Sequence, residues 1–210
     1  MLQPIRHILE SKTIILASGS PRRKELVNRL GLNAILCPST FEEDLDPKDF
    51  NTFSEFVEAT AEGKADEVFK RLELEGKSPD LVIAADTMVA LEDKLMGKPK
   101  DKAEATQMLN ELNGKWHTCY TGVILKGVEK TVRFTETTKV HWGHATKEQI
   151  QAYVDSGDPL DKAGAYGIGS SLGGAFIPKI EGDFYTVMGL PLYRLCSELC
   201  NFYGYKTDQE

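Results

Sequence analysis

Apolar residues along this chain alternate between two rhythms, short β-branched runs and longer stripes at helical spacing. Thr13-Ile14-Ile15-Leu16-Ala17 predicts a buried strand. Ser18-Gly19-Ser20-Pro21 then leads into a helix with Ser20 as its cap, Pro21 at its first position and Gly31 as its stop. Ala34 to Cys37 predicts a second strand, and the acidic stretch Phe41 to Pro47 a loop. A long helix follows from about Phe53 to Leu74, with Val57, Ala61, Ala65, Val68 and Leu72 as its apolar stripe. Lys64 falls inside that stripe, where a lysine either snorkels to water or points its ammonium into a cleft.

Leu81 to Ala85 is the most apolar run and leads directly into Asp86-Thr87. The carboxylate is therefore expected at the carboxyl edge of a central strand, where open α/β sheets place their ligands. After a further strand and the turn Met96-Gly97-Lys98-Pro99, a helix runs from about Lys102 to Leu112, opened by Asp101 with Glu104 and closed by Gly114. Trp116 to Leu125 and Thr131 to Trp142 predict two strands joined near Gly127. Thr146 and Gln149 open a helix that reaches about Ser156, with Gly157 as its stop. From Asp158 to Gly174 the glycine density predicts no regular element and suggests backbone passing close to a ligand. A strand from Phe184 to Met188 and a helix from Pro191 to about Tyr203 complete the pattern. Such alternation predicts an α/β fold with a mixed sheet.

With 210 residues, the chain is expected to form one domain, with two lobes around a cleft. Hydrophobic residues at 41%, charged residues at 27% and a mean hydropathy of −0.31 fit a globular protein that folds on its own. The net charge of −7 speaks against nucleic acid as the main partner and requires a local basic cluster for any polyanionic ligand. No apolar run suits a membrane span, and Met1 to His7 lacks the features of a secretory signal, so a cytoplasmic location is expected. Cys37, Cys119, Cys196 and Cys200 read as core or boundary thiols rather than as a metal or disulfide set.

Ser18-Gly19-Ser20-Pro21-Arg22-Arg23 sets hydroxyls, backbone N–H groups and two guanidinium groups at one helix N-terminus, a combination that suits phosphate. Without an anion it is a capped helix with two solvated arginines. Neither a P-loop nor a Gly-x-Gly-x-x-Gly string is present. Asp86 is a structural or a functional carboxylate, and Glu43 is either a solvated loop residue or a second oxygen ligand for Mg²⁺. For Lys98, between Gly97 and Pro99, residue type alone decides nothing. The spacing of His7, His117, His141 and His144 does not suit zinc.

Several strings together resemble the Maf-like nucleoside triphosphate pyrophosphatases: Leu16-Ala17-Ser18-Gly19-Ser20-Pro21-Arg22-Arg23, Ala85-Asp86-Thr87, Gly97-Lys98-Pro99, Thr121-Gly122-Val123, Asp161-Lys162-Ala163-Gly164-Ala165-Tyr166-Gly167-Ile168, and Gly182-Asp183-Phe184 with Gly189-Leu190-Pro191-Leu192. They span about residues 13 to 200. The resemblance implies a single α/β domain over residues 1 to 210, with an elongated mixed sheet, flanking helices and two lobes around a cleft. It also implies hydrolysis of a nucleoside triphosphate between the α and β phosphates, with Mg²⁺ or Mn²⁺ as cofactor. Asp86 matches the proton acceptor and Glu43 a second acidic residue for metal or water, so both are implied metal residues. Ser18, Arg22, Arg23, Lys64 and Lys98 match phosphate-contacting positions, and Arg22 and Thr87 positions tied to substrate choice.

The Asp161 to Ile168 string looks like the dTTP/UTP branch, yet Gly169-Ser170-Ser171 stands where that branch has Gln. Ser170 or Ser171 is the candidate for the missing polar contact. Thr186, where Asn is usual, reads as a structural change. A homodimer is implied by the resemblance alone. The competing expectation is a nucleotide-sensing regulatory protein, linked to cell division and septum formation, with little turnover.

Overall fold

In the computed structural model, which describes residues 1–205, seven strands form one mixed sheet. The strands are β1 (Ile14–Leu16), β2 (Ala34–Leu36), β3 (Leu81–Leu91), β4 (Lys94–Met96), β5 (Trp116–Lys126), β6 (Thr131–His141) and β7 (Lys179–Glu181). Their order is β2-β1-β3-β5-β6-β7, with β4 paired to β3. β1 lies parallel to β2 and β3, whereas β3/β4 and β6/β7 are antiparallel. The helices are α1 (Arg6–Leu9), α2 (Pro21–Arg29), α3 (Phe53–Leu74), α4 (Lys102–Leu112), α5 (Lys147–Asp155), α6 (Ser171–Gly174), α7 (Phe184–Met188) and α8 (Leu192–Phe202). Among the described residues no helix is long and apolar enough to cross a membrane.

Contacts divide the chain into two compact units. The first comprises Met1–Asp86, Thr121–Thr135 and the chain from Gly189 onward; the second comprises Thr87–Tyr120 and Glu136–Met188. In the first, the α3 stripe (Ala61, Ala65, Val68, Phe69, Leu72) covers Ile15, Ala17, Val82, Ala84 and Ile124. The approach is close: a Cβ on Gly122 would lie 2.7 Å from the Val57 carbonyl carbon, so glycine in β5 lets the α3 backbone settle onto the sheet. In the second, Leu109 and Leu112 of α4 and Ile150 and Val154 of α5 share a core with Trp142 and Tyr166.

Three expectations are corrected. Leu81 to Ala85 is only the first half of β3, which continues through Asp86 to Leu91 because Val89-Ala90-Leu91 finds an antiparallel partner in β4. Asp86 is thus a mid-strand residue, although the register with β1 already ends at Leu16↔Ile83. Phe184 to Met188 is helix α7, not a strand; Asp183 Oδ2 accepts from the Thr186 N–H at 2.7 Å and its hydroxyl at 2.9 Å, which turns the chain there. The glycine-dense segment holds two 3₁₀ turns and the short α6, and it is followed by the three-residue strand β7, too short to stand out in the sequence pattern.

Candidate active site

The turn after β1 is built as its residues dictate. Ala17 N–H completes the ladder on the Ile83 carbonyl (2.8 Å), after which Ser18 and its neighbours leave the sheet while β3 runs on to Asp86. Ser20 caps α2 through its Oγ, which accepts from the Arg23 N–H, with Pro21 in the first turn. Ser18 is buried, and its Oγ accepts from the Ser20 N–H (3.2 Å) and Arg23 Nη1 (3.4 Å). Arg23 Nε donates to the Gly189 carbonyl at 2.8 Å. That carbonyl belongs to the Gly189-Leu190-Pro191 turn, so two distant motifs fix one half-buried guanidinium. Arg22 is half-buried on the same first turn. Two guanidinium groups at a helix N-terminus oppose the helix dipole, an arrangement that an anion relieves.

Lys64 is the charged member of the buried α3 stripe, and Asp86 follows Val82 and Ala84 on one face of β3. The helix and the strand thus bring the two together where the apolar contact ends. Lys64 Nζ donates to Asp86 Oδ1 at 2.7 Å and lies 2.9 Å from Glu43 Oε1. The Lys64 and Asp86 side chains are only 11% and 9% exposed, whereas Glu43 is 54% exposed. Asp86 Oδ2 has no hydrogen-bond partner among the described residues. Removing one member of a buried ion pair strands the other charge, and such pairs are weak contributors to net stability. This pair therefore points to chemistry rather than to scaffold strength.

Glu43 reaches the pair because its loop is fastened to α3. Glu67 Oε2 accepts from the Ser39 hydroxyl and the Thr40 N–H, both at 2.9 Å, and Glu67 Oε1 accepts from Arg71 Nε at 2.6 Å. Arg71 also donates to the Pro38 carbonyl (3.0 Å). Burial alone would raise the Glu67 pKa, but the hydrogen bonds from Arg71, Thr40 and Ser39 outweigh it and bring it down to about 2. The Phe41 ring lies over Gly63, where an added Cβ would come within 2.6 Å of it. Sequence reasoning missed these positioning residues. Their one legible signal was Gly63, a glycine in the middle of a long helix.

Ser18, Arg22, Arg23, Glu43, Lys64 and Asp86 thus all belong to the first unit, whereas Thr87, Lys98 and Ser170 belong to the second. Thr87 is the next residue of β3 and, by strand alternation, faces the side opposite Asp86. Lys98 is exposed on a turn whose Gly97 carbonyl accepts from the Gly164 N–H at 3.0 Å. Ser170 Oγ donates to Asp158 Oδ2 (2.7 Å) and accepts from the Gly173 N–H (3.0 Å) as the cap of α6. Asp158 also accepts from the Tyr153 hydroxyl (2.7 Å) and Lys162 Nζ (3.2 Å). The Ser170 hydroxyl is therefore committed to its own segment. Exposed Ser171 is the first residue of α6. A Cβ on Gly173 would run into the Gly167 carbonyl oxygen and one on Gly174 would lie 2.8 Å from the Ile168 carbonyl oxygen, so these two glycines let the segment pack on its own backbone; at Gly167 and Gly169 a Cβ would meet the flexible ends of Lys162 and Met188.

A family model described as Maf-like protein matches residues 13–202. A protein of Bacillus anthracis named dTTP/UTP pyrophosphatase is 45% identical over 191 residues, covering 91% of this chain and 96% of that protein. A protein of the same name from Bacillus cereus (strain ATCC 10987 / NRS 248) is 44% identical over 191 residues, covering 91% and 90%. The structure of the Staphylococcus aureus Ham1 protein superposes with a TM-score of 0.43 and 18% identity, covering 62% of this chain and 72% of that one.

Proposed function

The chain belongs to the Maf-like protein family, and from that premise we propose that it is a single-domain nucleoside triphosphate pyrophosphatase that hydrolyses dTTP and UTP to the monophosphate and pyrophosphate. One observation carries the proposal on the protein's own terms: the buried Lys64–Asp86 pair with Glu43 alongside, in the same unit as an arginine-bearing helix N-terminus. Hydrolysis of a phosphoanhydride requires a placed water, an acceptor for its proton and positive charge on the polyphosphate.

Each requirement has a candidate residue. Asp86 Oδ2, without a partner among the described residues, is the acceptor for the proton of the attacking water. Arg22, Arg23, Ser18 and the first N–H groups of α2 receive phosphate oxygens, and the link to Gly189 fixes the plane of the Arg23 guanidinium. Lys64 supplies a further positive charge as charge develops on the leaving pyrophosphate. Lys98 and Thr87 are assigned to the substrate as well, Lys98 to phosphate and Thr87 to substrate choice.

The residues also fit a divalent cation. Glu43 and Asp86 already share one positive group between hard carboxylate oxygens, and Mg²⁺ is commonly held by one or two carboxylates with phosphate and water completing the shell. When bound, Mg²⁺ or Mn²⁺ supplies Lewis-acid charge neutralisation on the phosphates. Glu43 and Asp86 would hold it. We further propose, from the family resemblance, that the protein acts in the cytoplasm as a homodimer; sedimentation of the purified protein tests the dimer.

Product analysis tests the function. Purified protein is incubated with a panel of nucleoside triphosphates and Mg²⁺ or Mn²⁺, with Asp86→Asn as control. Monophosphate and pyrophosphate in equal amounts, lost in the variant, are expected. Orthophosphate as the main product, or tight binding without turnover, would replace the assignment with another phosphatase class or with a nucleotide sensor.

A further inference from the structure

We propose that Lys64 is an internal counter-cation that keeps Glu43 and Asp86 closed to a divalent ion until a triphosphate draws its ammonium away. The inference deepens the pyrophosphatase assignment and rests on it. Its basis is the position of Nζ, 2.7 Å from Asp86 Oδ1 and 2.9 Å from Glu43 Oε1, between the two oxygens that a divalent cation would use. An ammonium donates three N–H groups and accepts nothing, so it satisfies both carboxylates as an ion would. Two cations cannot share that space without strong repulsion at low solvent exposure.

Among the described residues no group of three His, Cys, Asp or Glu side chains is placed to bind a metal. The carboxylate pair is then the anionic contribution to the ion, and it is already neutralised in part by Lys64. A triphosphate changes the balance twice. Its oxygens offer the ammonium a new partner, reached by rotation of a flexible four-carbon stem. They also provide the missing ligands of the ion's shell. Cation and nucleotide therefore enter together, and the nucleotide-free protein holds the ion poorly. This explains why a lysine occupies a stripe position that would otherwise be apolar.

The test is direct Mn²⁺ binding to nucleotide-free protein, with free Mn²⁺ read by electron paramagnetic resonance. Wild type and Lys64→Arg are expected to bind weakly, and Lys64→Gln about tenfold tighter or more, as expected for removal of one close like charge at a half-screened site. The gain should vanish in Lys64→Gln/Asp86→Asn. Equal Mn²⁺ affinity in wild type and Lys64→Gln would overturn the proposal. Should Lys64→Gln fail to fold, the wild type answers alone through the ¹⁵N resonance of the Lys64 ammonium, assigned by its loss in Lys64→Arg. Mg²⁺ alone should leave it in place, whereas Mg²⁺ with a non-hydrolysable α,β-substituted triphosphate should shift it. A shift with Mg²⁺ alone would overturn the proposal. Failure of the pyrophosphatase assignment would show separately, as absence of monophosphate and pyrophosphate in the product assay.

Discussion

Gly63 provides the seat for the ring of Phe41: a Cβ built on that glycine would come within 2.6 Å of Cε2. The relationship ties a helix position to a loop position, and the loop carries Glu43 to Lys64. A mid-helix glycine costs about 0.5–1 kcal/mol relative to alanine, so its place in α3 reflects the room it leaves for the ring. Gly63→Ala should therefore gain helix propensity while it expels Phe41. The expected result is a melting temperature within a few degrees of wild type and a kcat/KM reduced about tenfold by misplacement of Glu43. Steady-state kinetics and a thermal melt check both, and wild-type kinetics would show that Glu43 does not depend on the seat.

Asp86→Asn separates charge from shape. The amide keeps the volume and an oxygen toward Lys64, and Glu43 remains as a partner for the ammonium, so the fold should survive with a lowered melting temperature. Loss of the proton acceptor should lower kcat by about 10²–10⁴, the usual range for a general base, with a much smaller change in KM. Circular dichroism and rates at saturating substrate distinguish the two effects. Near-normal kcat would move the proton-accepting role to another group.

Much of this arrangement was legible because it rests on local rules. The Ser20 cap, Pro21, the α3 stripe and the intrusion of Lys64 into it follow from spacing alone. The fate of β3 after Ala85 was hidden, because only the non-local pairing with β4 carries that strand on through Asp86. Phe184 to Met188 failed for the opposite reason: aromatic and β-branched residues favour a strand, but the Asp183 side chain bonds to Thr186 and turns the backbone. The Glu67–Arg71 clamp was invisible because charged residues on an exposed helix face look like ordinary solvated surface until the loop that they hold is in view.

Two groups should make the protein acid-sensitive in separate windows. His117 is buried with its Nε2 2.7 Å from the Tyr166 hydroxyl, and burial together with the His141 charge lowers its pKa to about 4 from 6.5. The unfolded chain takes up that proton first, so stability falls as pH drops from about 6.5 to about 4. Glu67, at about 2 against an ordinary 4.5, contributes stability that is full above 4.5 and lost as pH falls toward 2. Melting temperature measured against pH should flatten between 4 and 6.5 in His117→Gln, and below 4.5 in Glu67→Gln. Unchanged slopes in either variant would assign the acid response to other groups.

The last prediction concerns base selectivity, where the chain departs from the dTTP/UTP branch that it resembles. A side chain at position 169 must push Met188 aside, because a Cβ there would sit 2.9 Å from Met188 Cε and closer still to its Sδ, the flexible end of a half-buried side chain. Ser170 cannot stand in for the missing amide while its hydroxyl is held by Asp158. Gly169→Gln alone should therefore displace Met188 and lower stability modestly, by about 1 kcal/mol, the low end of overpacking costs. Shortening the neighbour should open the space, so Gly169→Gln/Met188→Ala should recover stability beyond the sum of the single changes. If the amide faces the base, the double variant should also prefer dTTP and UTP over other triphosphates more sharply than wild type does, as ratios of kcat/KM show. Recovered stability with an unchanged ratio would make the Gly169–Met188 contact purely a matter of packing and place base selection elsewhere.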